Sequence, residues 1–223
     1  AKKATVLDFR ELAPAGATRE MFVRDGKVVS ELATDGALSV AVPGAARGYL
    51  ELLEQGGRLP RAVVLAPAIA AAKQGFTVTP LYQAAAEERA DCLAKDPDAT
   101  RLFLRDGKAP SPGTQLKQPE LARTLEALAK NGARAFYEGP LAAAIADTVA
   151  RGGGVLTLAD LKAYRTRARE PLWGSYRGHA IATMPPPSAG WMIVLQTLGV
   201  LERAGPEGLA ARQVKTLHVF IEA

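Results

Sequence analysis

The feature that most constrains this fold is a series of helical segments in the middle of the chain, each ended by glycine or by asparagine and glycine. Apolar residues recur at helical spacing over residues 45–55 and 119–129, and these segments stop at Gly56–Gly57 and Asn131–Gly132. Glycine is common just past a helix C-terminus because it adopts a left-handed backbone there at little steric cost. The pattern predicts a mainly helical central region.

Proline sets further predicted boundaries in this region. A helix over residues 59–75 is expected to be interrupted at Pro67, because proline lacks the backbone donor that the helix needs. Thr79, followed by a proline, is a typical helix start, and this helix is expected to run to about residue 94. Asp96–Pro97 is expected to break it, and the turn-rich residues 103–118 are expected to form an ordered loop.

Short strands are predicted on both sides of the helical region. Residues 21–29 indicate two extended pieces around the turn signal Asp25–Gly26, and residues 171–184 alternate in a way that indicates two more. Between the two regions, Thr157 with Asp160 three residues later predicts a capped short helix. Strands and helices are therefore expected in separate stretches, which is the pattern of an α+β fold.

The last part of the chain is expected to return to helix. Ser188 follows three prolines and is expected to cap a helix that runs to about residue 201. A further helix is expected from residue 208, and its apolar face has no stop signal, so we expect the chain to be cut from a longer protein. The segments form four parts of one incomplete domain over residues 1–223: strands about 4–30, a helical region about 45–165, strands about 171–184 and helices about 188–223.

Composition excludes several classes of function. Hydrophobic residues make up 48% and charged residues 23%, which is ordinary for a globular protein. The net charge of +5 is scattered, except over residues 165–169, and aromatics are 6%, so we predict no nucleic-acid binding. The most apolar stretch, residues 63–72, is too short to span a bilayer, so we predict no membrane span in this chain.

Residues that carry catalytic or metal chemistry are sparse. Cys92 is the single cysteine, and His179 and His218 lie far apart in the sequence, so no metal-ligand spacing exists. No nucleotide-binding, nucleophile-elbow or zinc-protease motif occurs. We therefore predict no metal, no cofactor and no catalytic residue within these 223 residues.

Several short strings in one order resemble a known family. They cover nearly the whole chain: DFRELAP at 8–14, ATREMF at 17–22, VPG at 42–44, QPELARTL at 118–125, AFYEG at 135–139 and PPPSAG at 185–190. Their order and spacing resemble the large-subunit region of γ-glutamyltranspeptidases. The last string is interpreted as a rigid turn between strand and helix, not as the site of a nucleophilic serine.

The resemblance implies an N-terminal-nucleophile hydrolase, an αββα sandwich of two stacked sheets between helical layers. This chain would supply mainly the helical layers with a few strands. The family implies a proenzyme that cleaves itself, after which a threonine of the small subunit forms an acyl-enzyme with the γ-glutamyl group of donors such as glutathione. That threonine lies outside this chain, so we expect the chain alone to be inactive. The implied partners are γ-glutamyl small molecules and the small-subunit segment, and the implied location is periplasmic or secreted.

One residue is expected to bind substrate. In the family, the arginine of the DFRE string binds the α-carboxylate of the γ-glutamyl group, and here this residue is Arg10. A planar guanidinium binds a carboxylate through two parallel charge-assisted hydrogen bonds, which gives orientation as well as affinity. The alternative is that Arg10 pairs with Asp8 or Glu11 as structural support.

Two other functions stay open beside the γ-glutamyl transferase or hydrolase. One is an acylase on the same scaffold, such as a cephalosporin acylase or a poly-γ-glutamate-processing enzyme, and the other is a non-catalytic helical binding module. Arg10 favours the transferase over a glutaryl acylase, because a glutaryl group lacks the α-amino-acid end of a γ-glutamyl group.

Overall fold

The computed structural model describes residues 4–205 and 214–222. It consists of two compact units. The larger unit contains residues 9–165, and the smaller one combines residues 4–8 with the described residues from 166 onward. The prediction that residues 1–223 are part of one domain stays a prediction.

Helices form most of the larger unit. In chain order they are α1 (Ser30–Thr34), α2 (Ala45–Gly56), α3 (Arg61–Gln74), α4 (Pro80–Glu88), α5 (Ala90–Leu93), α6 (Pro97–Phe103), α7 (Pro119–Asn131), α8 (Arg134–Tyr137), α9 (Pro140–Arg151) and α10 (Leu158–Ala163). A short 3-10 helix covers Ala37–Ser39. The smaller unit carries α11 (Gly190–Arg203) and α12 (Val214–Glu222).

The described strands are short and form antiparallel pairs. They are β1 (Val6–Asp8), β2 (Val23–Arg24), β3 (Lys27–Val28), β4 (Phe76–Thr77), β5 (Gln115–Leu116), β6 (Arg167–Arg169), β7 (Leu172–Tyr176) and β8 (His179–Thr183). In the larger unit β2 pairs with β3 and β4 with β5. In the smaller unit β1 pairs with β6 and β7 with β8.

The core of the larger unit lies where α8, α9 and α10 meet the segment before α2. Ala142, Ala146 and Val149 occupy one face of α9 at helical spacing and are buried. Their buried neighbours come from the other elements: Val42, Tyr137, Leu156, Leu161 and Tyr164. The small side chains of Ala142 and Ala146 let α9 pack closely within this cluster, whose burial excludes water.

The structure corrects two predictions about helices α3 and α4. Helix α3 runs through Pro67 without interruption. Proline has no N–H to donate to the carbonyl of Val63, four residues earlier, but Val63 is exposed, so water can donate to that carbonyl instead. Helix α4 ends at Glu88, before the predicted residue 94, because the backbone of Arg89 is non-helical. A separate short helix, α5, follows it.

A third correction concerns Asp96–Pro97. These residues start helix α6, which the sequence did not predict: the Asp96 carboxylate accepts a hydrogen bond of 2.7 Å from the Ala99 N–H, and Pro97 occupies the first helical position. Proline is tolerated there because that N–H has no partner within the helix in any case. The predicted loop after α6 is present, and its end forms β5.

The predicted cap of the helix after the prolines is also wrong. Helix α11 starts at Gly190, its N-cap is Ala189, and no side chain caps it. Ser188 lies one residue too early, in a turn where its N–H donates to the Pro185 carbonyl at 3.3 Å. The predicted start of the final helix at residue 208 lies outside the described residues, and the described part of that helix is α12.

Candidate functional site

The segment that carries Arg10 is here called the Arg10 loop, residues 9–17. It is attached at its centre to the core by an antiparallel bridge between Leu12 and Val42. The Leu12 N–H donates to the Val42 carbonyl at 3.2 Å, and the Val42 N–H donates back at 2.8 Å. Val42 is buried, so the bridge joins the loop to a part of the structure that moves little.

A second attachment comes from Tyr164, directly after α10. Its hydroxyl donates a hydrogen bond of 2.9 Å to the backbone carbonyl of Arg10. The ring is buried and stacks on that of Tyr137, with centroids 5.7 Å apart and an interplanar angle of 12°. The peptide group that follows the α-carbon of Arg10 is therefore held by a residue that is itself fixed in the core.

A third attachment is made by the capping box of α10. Asp160 accepts from the N–H and the hydroxyl of Thr157 at 2.9 and 2.6 Å, and from the Ala15 N–H of the Arg10 loop at 2.8 Å. Desolvation raises the pKa of Asp160, but the hydrogen bonds from Thr157 and from Ala15 outweigh it and keep that pKa below its ordinary value. The ionised carboxylate is thus the form that joins α10 to the loop.

Close approach to α2 fixes the start of the loop. A Cβ atom at Gly44 would lie 2.0 Å from the Phe9 carbonyl oxygen and 2.1 Å from the Tyr164 hydroxyl oxygen. A Cβ at Gly48 would lie 2.1 Å from Cγ of the Phe9 ring. Both distances are far below van der Waals contact, so only glycine permits this packing.

The side chain of Arg10 points from this fixed backbone toward solvent. It is 54% exposed, and its Nη2 lies 3.7 Å from Oε1 of Glu11, which is 60% exposed. An exposed ion pair at this distance contributes about 0–1 kcal/mol, so Glu11 does not bury the guanidinium or compete strongly with a ligand. Two structural partners were considered from sequence. Glu11 lies near the Arg10 guanidinium, and Asp8 forms an ion pair of 2.7 Å with Arg169.

The arrangement suits carboxylate recognition. A guanidinium exposed to solvent, on a backbone held from three sides, can form two parallel hydrogen bonds to a carboxylate without further ordering of the backbone. Sequence reasoning placed Asp160 in a cap but missed that it, with Tyr164, also supports the Arg10 loop. The capping motif was a usable signal, but the contacts join residues 145 and 154 positions apart and leave no local pattern.

Other residues considered from sequence lie elsewhere. Cys92, on α5, is half-buried, with its sulfur 3.3 Å from Nη2 of Arg89 and 3.5 Å from Oδ1 of Asp35. His179 lies on β8 and His218 on α12. Among the described residues no cluster of three or more histidine, cysteine or acidic side chains is placed to hold a metal ion. Within the same residues, none of the helices has the length and apolar character required to cross a bilayer.

Comparison with known proteins places this chain in a family. The family model described as gamma-glutamyltranspeptidase matches residues 1–223. Among curated proteins, the chain is 38% identical over 227 residues to "Acylase ACY 1 proenzyme" of Pseudomonas sp. (strain SE83), covering 98% of this chain and 40% of that protein. It is 34% identical over 224 residues to "Glutathione hydrolase proenzyme" of Escherichia coli (strain K12), covering 98% of this chain and 38% of that protein.

A solved structure agrees. The gamma-glutamyltranspeptidase of Helicobacter pylori superposes with a TM-score of 0.90 at 33% identity, covering 97% of this chain and 62% of that one. The fold is therefore part of the N-terminal-nucleophile hydrolase fold, mostly helical with few strands, as expected from the sequence. The chain spans 40% or less of the length of these two curated relatives. It belongs to the gamma-glutamyltranspeptidase family.

Proposed function

We propose that Arg10 binds the α-carboxylate of a γ-glutamyl donor in the complete protein. The observation that carries this proposal is the Arg10 loop itself: an exposed guanidinium on a backbone held by Val42, Tyr164 and Asp160. A guanidinium on a fixed backbone selects donors that carry a carboxylate at the right distance from the reacting amide. The reaction that fits is transfer of a γ-glutamyl group from glutathione-like donors to water, an amino acid or a peptide.

The reacting group itself is proposed to lie outside these 223 residues. We propose that the complete protein is a proenzyme that cleaves itself and that a threonine of the resulting small subunit forms the acyl-enzyme. The names of both curated relatives, which call them proenzymes, support this. We further propose that the protein acts in the periplasm or outside the cell, which fractionation of the producing cells would test.

The 223-residue chain alone is proposed to be inactive. Within the described residues, the Thr124 hydroxyl donates to the Glu120 carbonyl at 3.2 Å, and Thr157 belongs to the capping box of α10. The purified chain is expected to release no chromogenic amine from a γ-glutamyl anilide. Turnover above background that co-purifies with the chain would contradict this.

We also propose that the rest of the protein covers α12. Four of its apolar side chains are 55–86% exposed: Val214, Leu217, Phe220 and Ile221. Monomers rarely expose contiguous apolar patches of this kind, and the curated relatives are more than twice as long as this chain. In the complete protein, the backbone amides of α12 should be protected from hydrogen exchange, and rapid exchange throughout that helix would contradict this proposal.

The role of Arg10 is tested by substitution in the complete protein. Arg10→Ala should lower kcat/KM for a γ-glutamyl anilide by a factor that corresponds to about 3–5 kcal/mol, the cost of leaving a desolvated charge unpaired. Arg10→Lys should recover little, because an ammonium cannot form the two parallel bonds. Arg19→Ala is the matched control, since Arg19 is exposed and pairs with the next residue, Glu20, at the same 3.7 Å.

Three results would count against this role. They are an effect of Arg10→Ala no larger than that of Arg19→Ala, full activity of Arg10→Lys, and a failure of the Arg10 variants to cleave themselves. The last would make Arg10 a structural residue, because self-cleavage needs no donor carboxylate.

An acylase on the same scaffold is the second candidate function. The observation that favours it is the 38% identity to "Acylase ACY 1 proenzyme". A glutaryl donor keeps the carboxylate of a γ-glutamyl donor but lacks its α-amino group, so the two functions differ in the donor that the protein prefers. Use of a glutaryl anilide together with no use of a γ-glutamyl anilide would favour the acylase.

A further inference from the structure

The backbone of Arg10 is joined to an aromatic pair deep in the larger unit. The Tyr164 hydroxyl donates to the Arg10 carbonyl at 2.9 Å, and the Tyr164 ring is 2% exposed. A phenol in such a site has few alternative rotamers, because the surrounding side chains are closely packed. Its hydrogen bond therefore fixes the position of the Arg10 carbonyl and, with it, the direction in which the adjacent side chain leaves the backbone.

The ring of Tyr164 is held in turn by Tyr137. The two rings are nearly parallel, and Tyr137 is completely buried. Its hydroxyl donates to the Pro43 carbonyl at 2.7 Å and accepts from the Arg47 N–H at 3.3 Å, so the ring is fixed to the start of α2. Stacking and these hydrogen bonds together hold the two tyrosine rings in a single arrangement in the core.

The guanidinium of Arg47 lies at the far end of this row. Its Cζ is 4.6 Å from the centroid of the Tyr137 ring. Its Nε and Nη2 atoms are buried and have no hydrogen-bond partner among the described residues. Contact with the ring face offsets part of the cost of burying that charge, so Arg47 and Tyr137 stabilise each other. The row runs from the Arg47 guanidinium through two rings to the Arg10 carbonyl.

We infer that Tyr164 is a positioning residue for Arg10, acting through the Arg10 carbonyl and touching no substrate. This inference rests on the proposed role of Arg10. Two parallel hydrogen bonds to a carboxylate tolerate only a small displacement of the guanidinium, whereas a single bond tolerates more. A loop freed from Tyr164 would reach the carboxylate less often in the productive geometry, which weakens donor binding without changing the reacting groups.

The test is Tyr164→Phe in the complete protein, which removes the donor and keeps the ring. For a γ-glutamyl anilide we expect kcat/KM to fall about three- to tenfold, the range for one hydrogen bond, mainly through a higher KM. A 4-aminobutyryl anilide, which lacks the α-carboxylate, should be used unchanged. Tyr82→Phe is the matched control. The Tyr82 ring is half-buried, and its centroid lies 5.4 Å from that of the Phe76 ring, in a different part of the unit.

A double-mutant cycle separates positioning from general support of the fold. In an Arg10→Ala background, Tyr164→Phe should cause no further loss with the γ-glutamyl donor, because the group that it positions is gone. Fully additive losses, an equal loss with both donors, or a loss no larger than that of Tyr82→Phe would overturn the inference. A general loss of stability affects both donors alike, so it also counts against positioning.

The same cycle distinguishes this inference from the proposed function. If Arg10→Ala leaves use of the γ-glutamyl donor intact, the proposed role of Arg10 fails. If Arg10→Ala impairs it and Tyr164→Phe does not, only the positioning role fails. A loss in both single variants with no added loss in the double variant supports both.

Discussion

Gly44→Ala is expected to destabilise the complete protein, because the added methyl group has no space. Gly44 is the N-cap of α2 with φ −106° and ψ −22°, a backbone that any residue adopts, so the effect comes from packing alone. The new Cβ would lie 2.0 Å from the Phe9 carbonyl oxygen and 2.1 Å from the Tyr164 hydroxyl oxygen. To remove these two clashes, the Phe9 carbonyl and the Tyr164 hydroxyl must each move by more than an ångström, which displaces the Arg10 loop.

The expected loss is about 1–3 kcal/mol in the free energy of unfolding, the usual cost of overpacking a core. Urea denaturation of wild type and variant measures it. Gly139→Ala is the matched control, because Gly139 is also an N-cap with negative φ and no side-chain cap, and its Cβ would meet only the Ala135 carbonyl at 3.5 Å.

Gly44→Ala should also weaken use of a γ-glutamyl donor, since Phe9 precedes Arg10 and the clash reaches Tyr164. Equal stability of the Gly44→Ala and Gly139→Ala proteins would refute the reasoning. It would mean that the Arg10 loop does not approach α2 as closely as described.

Two further predictions concern stability. The pKa of Asp160 is lowered in the folded protein, so the stability that its carboxylate contributes is present above about pH 4, the unfolded pKa, and is lost as pH falls through the lower folded pKa. In urea denaturation between pH 7 and pH 3, Asp160→Asn should be less stable than wild type by about 0.5–2 kcal/mol at pH 7, and the difference should shrink in acid. A difference that does not change with pH would contradict this. Gly199→Ala in α11 should stabilise by about 0.5–1 kcal/mol, because no atom lies within 4 Å of the added Cβ and alanine is the better helix former; a loss of stability in urea denaturation would contradict this.

Local chemistry made parts of this fold predictable from sequence. The turn Asp25–Gly26 has positive φ at both residues, as the hairpin signal requires, and strands β2 and β3 flank it. Helix α7 begins at Pro119, and its C-cap is Gly132, as predicted. The capping box of Thr157 and Asp160 is present with both hydrogen bonds.

The predictions that failed depended on surroundings outside the local sequence. Asp96–Pro97 suits a helix start as well as a helix end, and only the hydrogen bond from the Asp96 carboxylate to the Ala99 N–H decides between them. Strand β6 contains two arginines and has no apolar alternation, so it forms a strand only because β1, about 160 residues earlier, pairs with it.

The candidate site divides in the same way. Arg10 was identified through the resemblance of its surrounding string, and its ligand-binding role stays a prediction; its side chain is exposed to solvent. The supports of its backbone, Tyr164 and Asp160, could not be assigned, because nothing in a single sequence pairs them with residues 10 and 15. Long-range contacts of this kind are a property of the folded core.

The proposed role of Arg10 is tested most directly by comparing two donors in the complete enzyme. The measurement is kcat/KM of wild type and Arg10→Ala for a γ-glutamyl anilide and for a 4-aminobutyryl anilide, which lacks the α-carboxylate and keeps the amino group. We expect a loss equivalent to about 3–5 kcal/mol with the first donor and a loss below about 1 kcal/mol with the second. Equal losses with the two donors would contradict carboxylate binding by Arg10.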